Sequence, residues 1–166
     1  MRHLVQVLSI LAAWAALTCS PEDAGGPRGS AQTSNVVANW AERLTSAHHQ
    51  ADRVLTEKDK LDAAQTLADL ALDSARPDQE TARMLAQEAA ARSAALYLKT
   101  NRISAALSLI RSGLEVSPQP SVGRAQLYMV LADCEQSTGN DAASRQALFE
   151  ALVVNQQLFA LELKNP

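Results

Sequence analysis

One six-residue signature occurs twice in this chain, 38 residues apart, and it leaves few ways to fold. Tyr97, Asn101, Ala106, Ile110, Gly113 and Pro118 are followed, at identical internal spacings, by Glu135, Gly139, Ser144, Leu148, Ala151 and Gln156. In both copies the order reads helix, turn, helix, break. A more degenerate third unit lies nearer the N-terminus. A unit of this size cannot bury its apolar face alone, so neighbouring copies must stack.

Apolar periodicity sets the helices. From Asn35, Val36, Trp40, Leu44, Ala47, Ala51 and Val54 recur every three or four residues, as on one buried stripe. Thr56 with Asp59 forms a capping box for a second helix carrying Leu61, Ala64, Ala68 and Leu72, which Pro77 stops. Asp78 is placed to cap a third helix, with Met84, Leu85, Ala89, Leu96 and Leu98 as its stripe. A fourth runs through Ile103, Ala106, Leu107, Ile110 and Leu114 to the breakers Pro118 and Pro120. Ser121 caps a fifth, bearing Leu127, Tyr128, Leu131 and Cys134. After Gly139-Asn140, Leu148, Ala151, Leu152, Leu158 and Phe159 line a sixth that ends near Lys164. No segment alternates long enough for a strand, so the expected class is all-α. Alanine at 31 of 166 positions favours helices that approach closely through small side chains.

The first 18 residues read as a secretory signal peptide. Arg2 precedes an apolar run from Leu4 to Leu17, interrupted only by Gln6 and Ser9 and shorter than the ~20 residues of a bilayer span. Cleavage has two readings, after the small pair Ala13 and Ala15 or directly before Cys19. Ala16-Leu17-Thr18-Cys19 resembles the lipobox of bacterial lipoproteins, although Leu17 and Thr18 are larger than that pattern prefers. The resemblance implies a lipid carried on Cys19 and a place in the periplasm or cell envelope, anchored to the membrane. Residues 19–34, rich in glycine and proline with no apolar period, read as a flexible tether ahead of a folded domain at 35–164.

The hairpins resemble tetratricopeptide repeats (TPR). Tyr128, Leu131, Ala132, Gly139, Leu148 and Ala151 fill the large and small positions of that family's pattern, while Glu135 and Gln156 depart from it. Ala94, Tyr97, Asn101, Ala106, Ile110 and Pro118 do the same one unit earlier, with Gly113 in place of alanine; Asp59, Ala64 and Ala71 represent the degenerate first unit. The 38-residue spacing exceeds the family's usual repeat, and the SPQPS connection absorbs the excess. The resemblance, covering residues 34–164, implies three antiparallel helix pairs stacked as a short right-handed superhelix. The first helix of each pair would line a concave groove for a partner protein or peptide. Carried over, the groove residues are Glu88, Ala91, Ala95 and Leu98, then Gln126, Met129, Asp133 and Gln136, with Met129 and Leu98 as apolar anchors. They make a mildly acidic, partly apolar channel without a lysine and asparagine clamp for a C-terminal carboxylate.

Chemistry-bearing clusters are few. His48 and Asp52, four apart on a helix and next to His49, could share a cation, but a site needs three or four ligands with support. A solvated polar face accounts for them, and no metal or cofactor is expected. Cys134 falls on an apolar stripe and reads as a small buried hydrophobe. No nucleophile triad, phosphate-binding glycine loop or facing carboxylate pair can be assembled, so the expected role is not catalytic. The net charge is -3, without the basic footprint of a nucleic-acid binder. The expected function is an exported, lipid-anchored scaffold that binds another protein. The alternative is a self-associating structural subunit of an envelope complex.

Overall fold

The computed structural model describes residues 29–164, and their regular elements are all helices, with no strand among them. Six helices follow in order: α1 (Gly29–Asp52), α2 (Glu57–Ala71), α3 (Glu80–Lys99), α4 (Ile103–Val116), α5 (Val122–Ser137) and α6 (Asp141–Lys164). The expected signal peptide, Cys19 and most of the tether lie outside the described residues. Helix α1 begins at Gly29, ahead of the first apolar residue of its stripe, so the last residues assigned to the tether are helical. Helix propagation from a packed segment needs only one hydrogen bond per added residue, and Ala31 and Gln32 favour it.

Two turns are built alike. After α3, Asn101 N–H donates to Leu98 O at 2.9 Å and Arg102 N–H to Tyr97 O at 2.8 Å, with Asn101 at φ 57°. After α5, Gly139 N–H donates to Gln136 O at 3.0 Å and Asn140 N–H to Glu135 O at 2.9 Å, with Gly139 at φ 78°. Both are Schellman motifs, in which a left-handed residue ties off the last carbonyls of a helix. The sequence repeat is therefore also a repeat of backbone geometry. The α1–α2 connection differs and relies on the expected capping box. Asp59 N–H donates to Thr56 Oγ1 at 3.1 Å while Thr56 N–H donates to Asp59 Oδ2 at 3.2 Å.

Helix α3 is the central rod, packed against α2, α4 and α5; α4 also touches α5, and α5 pairs with α6. Ala82, Ala86, Ala89, Ala90, Ala91 and Ala94 are all buried on it, so much of its contact with neighbouring helices is made through methyl groups. Ser93 Oγ donates to Ala64 O at 2.6 Å, a contact that requires such closeness between α3 and α2. Trp40 of α1 is buried and donates through Nε1 to Leu70 O at 3.4 Å.

A buried polar clamp joins α3, α4 and α5. Gln87 is fully buried; its Nε2 donates to Gly113 O at 3.2 Å and Ser117 O at 2.9 Å, while its Oε1 accepts from Ser121 Oγ at 2.7 Å. Ser121 also caps α5, accepting from Arg124 N–H at 2.9 Å, and the Arg124 guanidinium donates to Leu114 O and Ser117 O, each at 2.9 Å. Gly123 lies where a Cβ would strike the backbone of Gln87 and Glu88.

Three sequence expectations are corrected. Gln79, not Asp78, precedes α3 as its N-cap and makes no side-chain cap bond; the Asp78 carboxylate instead pairs with Arg83. Helix α2 ends at Ala71, well before Pro77, because the Asp73–Arg76 turn intervenes and Arg76 donates to Ala71 O at 2.7 Å. Finally, Leu148, Leu152 and Phe159 of α6 are exposed rather than core, because no described helix lies over them, and Val36, Leu72 and Leu85 of the other expected stripes are exposed as well.

Candidate functional site

The residues carried over as groove-lining fall on two helices that pack together. Glu88 and Leu98 lie on α3; Gln126, Met129, Asp133 and Gln136 lie on α5 at spacings of three and four, hence on one face. Met129 is 52% exposed, so its thioether side chain is open to solvent. Asp133 and Gln136 are exposed too, whereas Gln126 and Glu88 are half-buried. Leu98 is half-buried and packs against the core. Ala91 is 2% exposed, which takes it out of reach of any ligand and corrects its place among the groove residues. Ala95, one turn on, stays half-buried.

The same face of α3 carries an ionic cluster shared with α1. Arg92 pairs with Asp52 and donates through a second guanidinium nitrogen to His48 Nδ1 at 3.2 Å. Accepting at Nδ1 fixes the neutral ring with its proton on Nε2. Burial, then the Arg92 charge, lowers the His48 pKa to about 4, so the ring is uncharged at neutral pH. Burial also raises the Glu88 carboxyl, against the pull of Arg92. The cation that His48 and Asp52 share is thus a guanidinium from another helix. Arg92 went unread in the sequence. Its one local signal was the i, i+4 spacing from Glu88.

An open cleft of about 410 Å³ between the end of α1 and the start of α2 is lined by Ser46, His49, Gln50, Arg53, Asp59 and Asp62, together with Val54. The Asp59 carboxylate there is already engaged by its cap. No group of three or more His, Cys, Asp or Glu side chains converges on a metal position among the described residues. Cys134 is fully buried, and burial with Asp133 and Glu135 nearby pushes its thiol up to about 11. No thiolate forms near neutrality, which fits a structural rather than a reactive cysteine.

No family model matches this chain, and neither a curated protein nor a solved structure matches it.

Proposed function

We propose that this protein is a non-catalytic scaffold of three stacked TPR-like helix pairs, exported and lipid-anchored through Cys19, that holds a partner protein or peptide on the face of α1, α3 and α5. The observation that carries this reading is the pair of matching Schellman turns, after α3 and after α5, on two helices packed side by side. Equivalent turns make α3 and α5 equivalent first helices, and their shared face is where Met129 stands out of the core beside the polar Gln126, Asp133 and Gln136. A preformed concave surface with one or two apolar anchors inside a polar rim suits a bound helix or extended peptide. Ala95, on α3 between Arg92 and Leu98, is half-buried and presents only a methyl group. The anchor rests on Cys19 at the end of the apolar Leu4–Leu17 run.

Site-specific photocrosslinking in the native host tests the face. A probe at Met129 is expected to give a discrete adduct that Asp133→Lys weakens, with none from a probe at Lys58 on α2. Equal labelling from both positions would refute a dedicated face. Mass spectrometry of the mature N-terminus tests the anchor: a diacylated Cys19 is expected, and Cys19→Ser should release the protein from the membrane fraction.

A further inference from the structure

Helix α6 has two faces, and only one of them is used. Ala147, Ala151 and Val154 are buried in its pairing with α5. Around the helix, Leu148, Leu152, Phe159 and Leu163 are 52%, 53%, 62% and 67% exposed. The repeat itself says what kind of surface this is. Leu148 and Leu152 correspond to Ile110 and Leu114 on α4, where Ile110 is 0% exposed on a helix packed against both α3 and α5. The chain therefore satisfies this stripe with a helix. On α6 the same stripe faces solvent among the described residues, an apolar surface of the kind that stacked helices cover.

The spacing identifies the helix that fits. Reading outward from the Asn155-Gln156 peptide in either direction, the next stripe residues are Leu152 and Phe159, then Leu148 and Leu163. At about 100° per residue these six side chains fall within an arc of roughly 100°, symmetric about that peptide. Such a stripe is complementary to itself when reversed, as a two-fold interface demands. Head-to-tail stacking has no comparable surface to meet it, since Val36 is the one large apolar side chain exposed on α1 among the described residues.

We propose that a second copy of this chain covers this face, the two α6 helices lying antiparallel about a two-fold axis at Asn155-Gln156. Leu152 then meets the copy's Phe159, and Leu148 meets the copy's Leu163. Asn155 lies beside the copy's Asn155, and Gln156 beside its own counterpart, a polar pairing that fixes register within an apolar seam. Because α6 is a second helix of its pair, the α1, α3 and α5 face stays open, and the dimer does not depend on any partner-binding role.

Light scattering and sedimentation of the full chain test this. The wild type is expected at twice the 17.8 kDa chain mass. Leu152→Asp should halve the mass with helical circular dichroism retained, and Leu55→Asp, at a site 89% exposed in the α1–α2 connection, should leave it unchanged. In a Cys19→Ser background, Asn155→Cys should oxidise to a covalent dimer and Lys58→Cys should not. A monomeric wild type, masses that climb beyond two chains, or a dimer indifferent to Leu152→Asp would each overturn the interface. A dimer that Asn155→Cys fails to crosslink would overturn its register.

Discussion

Ile110 and Leu148 occupy the same place in successive hairpins, yet Ile110 is fully buried while Leu148 is 52% exposed. Burial follows from what lies over a stripe and cannot be read from the stripe itself. Ile110→Ala should cost about 2–5 kcal/mol, the usual range for emptying a packed site. Leu148→Ala should cost less than about 1 kcal/mol. Urea denaturation at chain concentrations low enough to keep the protein monomeric measures both, and equal costs would mean that Leu148 has cover in solution within a single chain.

Close approach at Gly123 gives a second expectation. A Cβ there would fall 2.8 Å from the Gln87 carbonyl carbon and nearer still to Glu88 N, both backbone atoms that cannot swing aside. Gly123→Ala should force α5 away from α3 and destabilise by about 2–3 kcal/mol, as overpacking does. Gly113→Ala is the contrast. Its Cβ would meet Ala90 Cβ at 3.0 Å and the tip of the Leu127 side chain at 3.1 Å, and alanine gains helix propensity over glycine. The net change should stay within about 1 kcal/mol. Comparing denaturation midpoints for the two variants separates backbone contact from side-chain contact.

The Gln87 clamp should be sensitive to chemistry more than to volume. Gln87→Leu keeps the bulk but strips Gly113 O of the Nε2 donor and Ser121 Oγ of its acceptor. Leaving two buried polar groups unpaired should cost about 2–4 kcal/mol. Gln87→Glu sets a carboxylate against the carbonyls of Gly113 and Ser117, so it should be unstable at neutral pH and regain stability towards about pH 5, where a protonated carboxyl can donate again. A Gln87→Glu chain as stable as wild type at neutral pH would contradict the clamp.

His48 should make the fold weaker in acid. Its folded pKa of about 4 lies below the ordinary 6.5, so the unfolded chain binds the proton more readily. Its stabilisation is then complete above the unfolded value and is lost as pH falls through 6.5 towards 4. Solvent contact limits the effect to about 1–2 kcal/mol. Glu88, raised by burial, works in the opposite sense, while Arg92, Asp52 and His49 also face the ring. The isolating measurement is therefore the difference between wild type and His48→Gln across that range. It should narrow as the pH falls, and a constant difference would argue against a neutral buried ring.

Local signals in the sequence were read well, and non-local ones were not. The Thr56–Asp59 box, the Ser121 cap and the Asn101 and Gly139 turns each depend on residues a few positions apart, and each is present. Asp78 misled because Arg83, one turn inside the helix, competes for its carboxylate. Arg92 was invisible as the partner of His48 and Asp52 since it comes from a helix some 40 residues away. For α3, apolar periodicity understated burial: alanine carries little hydrophobic contrast, yet Ala86, Ala89, Ala90 and Ala94 are 0% exposed. On the candidate face Ala91 is closed while Met129 is exposed, a difference that position in the repeat pattern alone does not carry.

The alanine sheath around α3 has a consequence for how such a chain can diversify. A buried alanine on α3 that gains bulk must push a packed neighbour aside, so this rod tolerates little enlargement. Variation that alters the surface without collapsing the stack falls on the flanks, along the exposed positions of α1, α5 and α6.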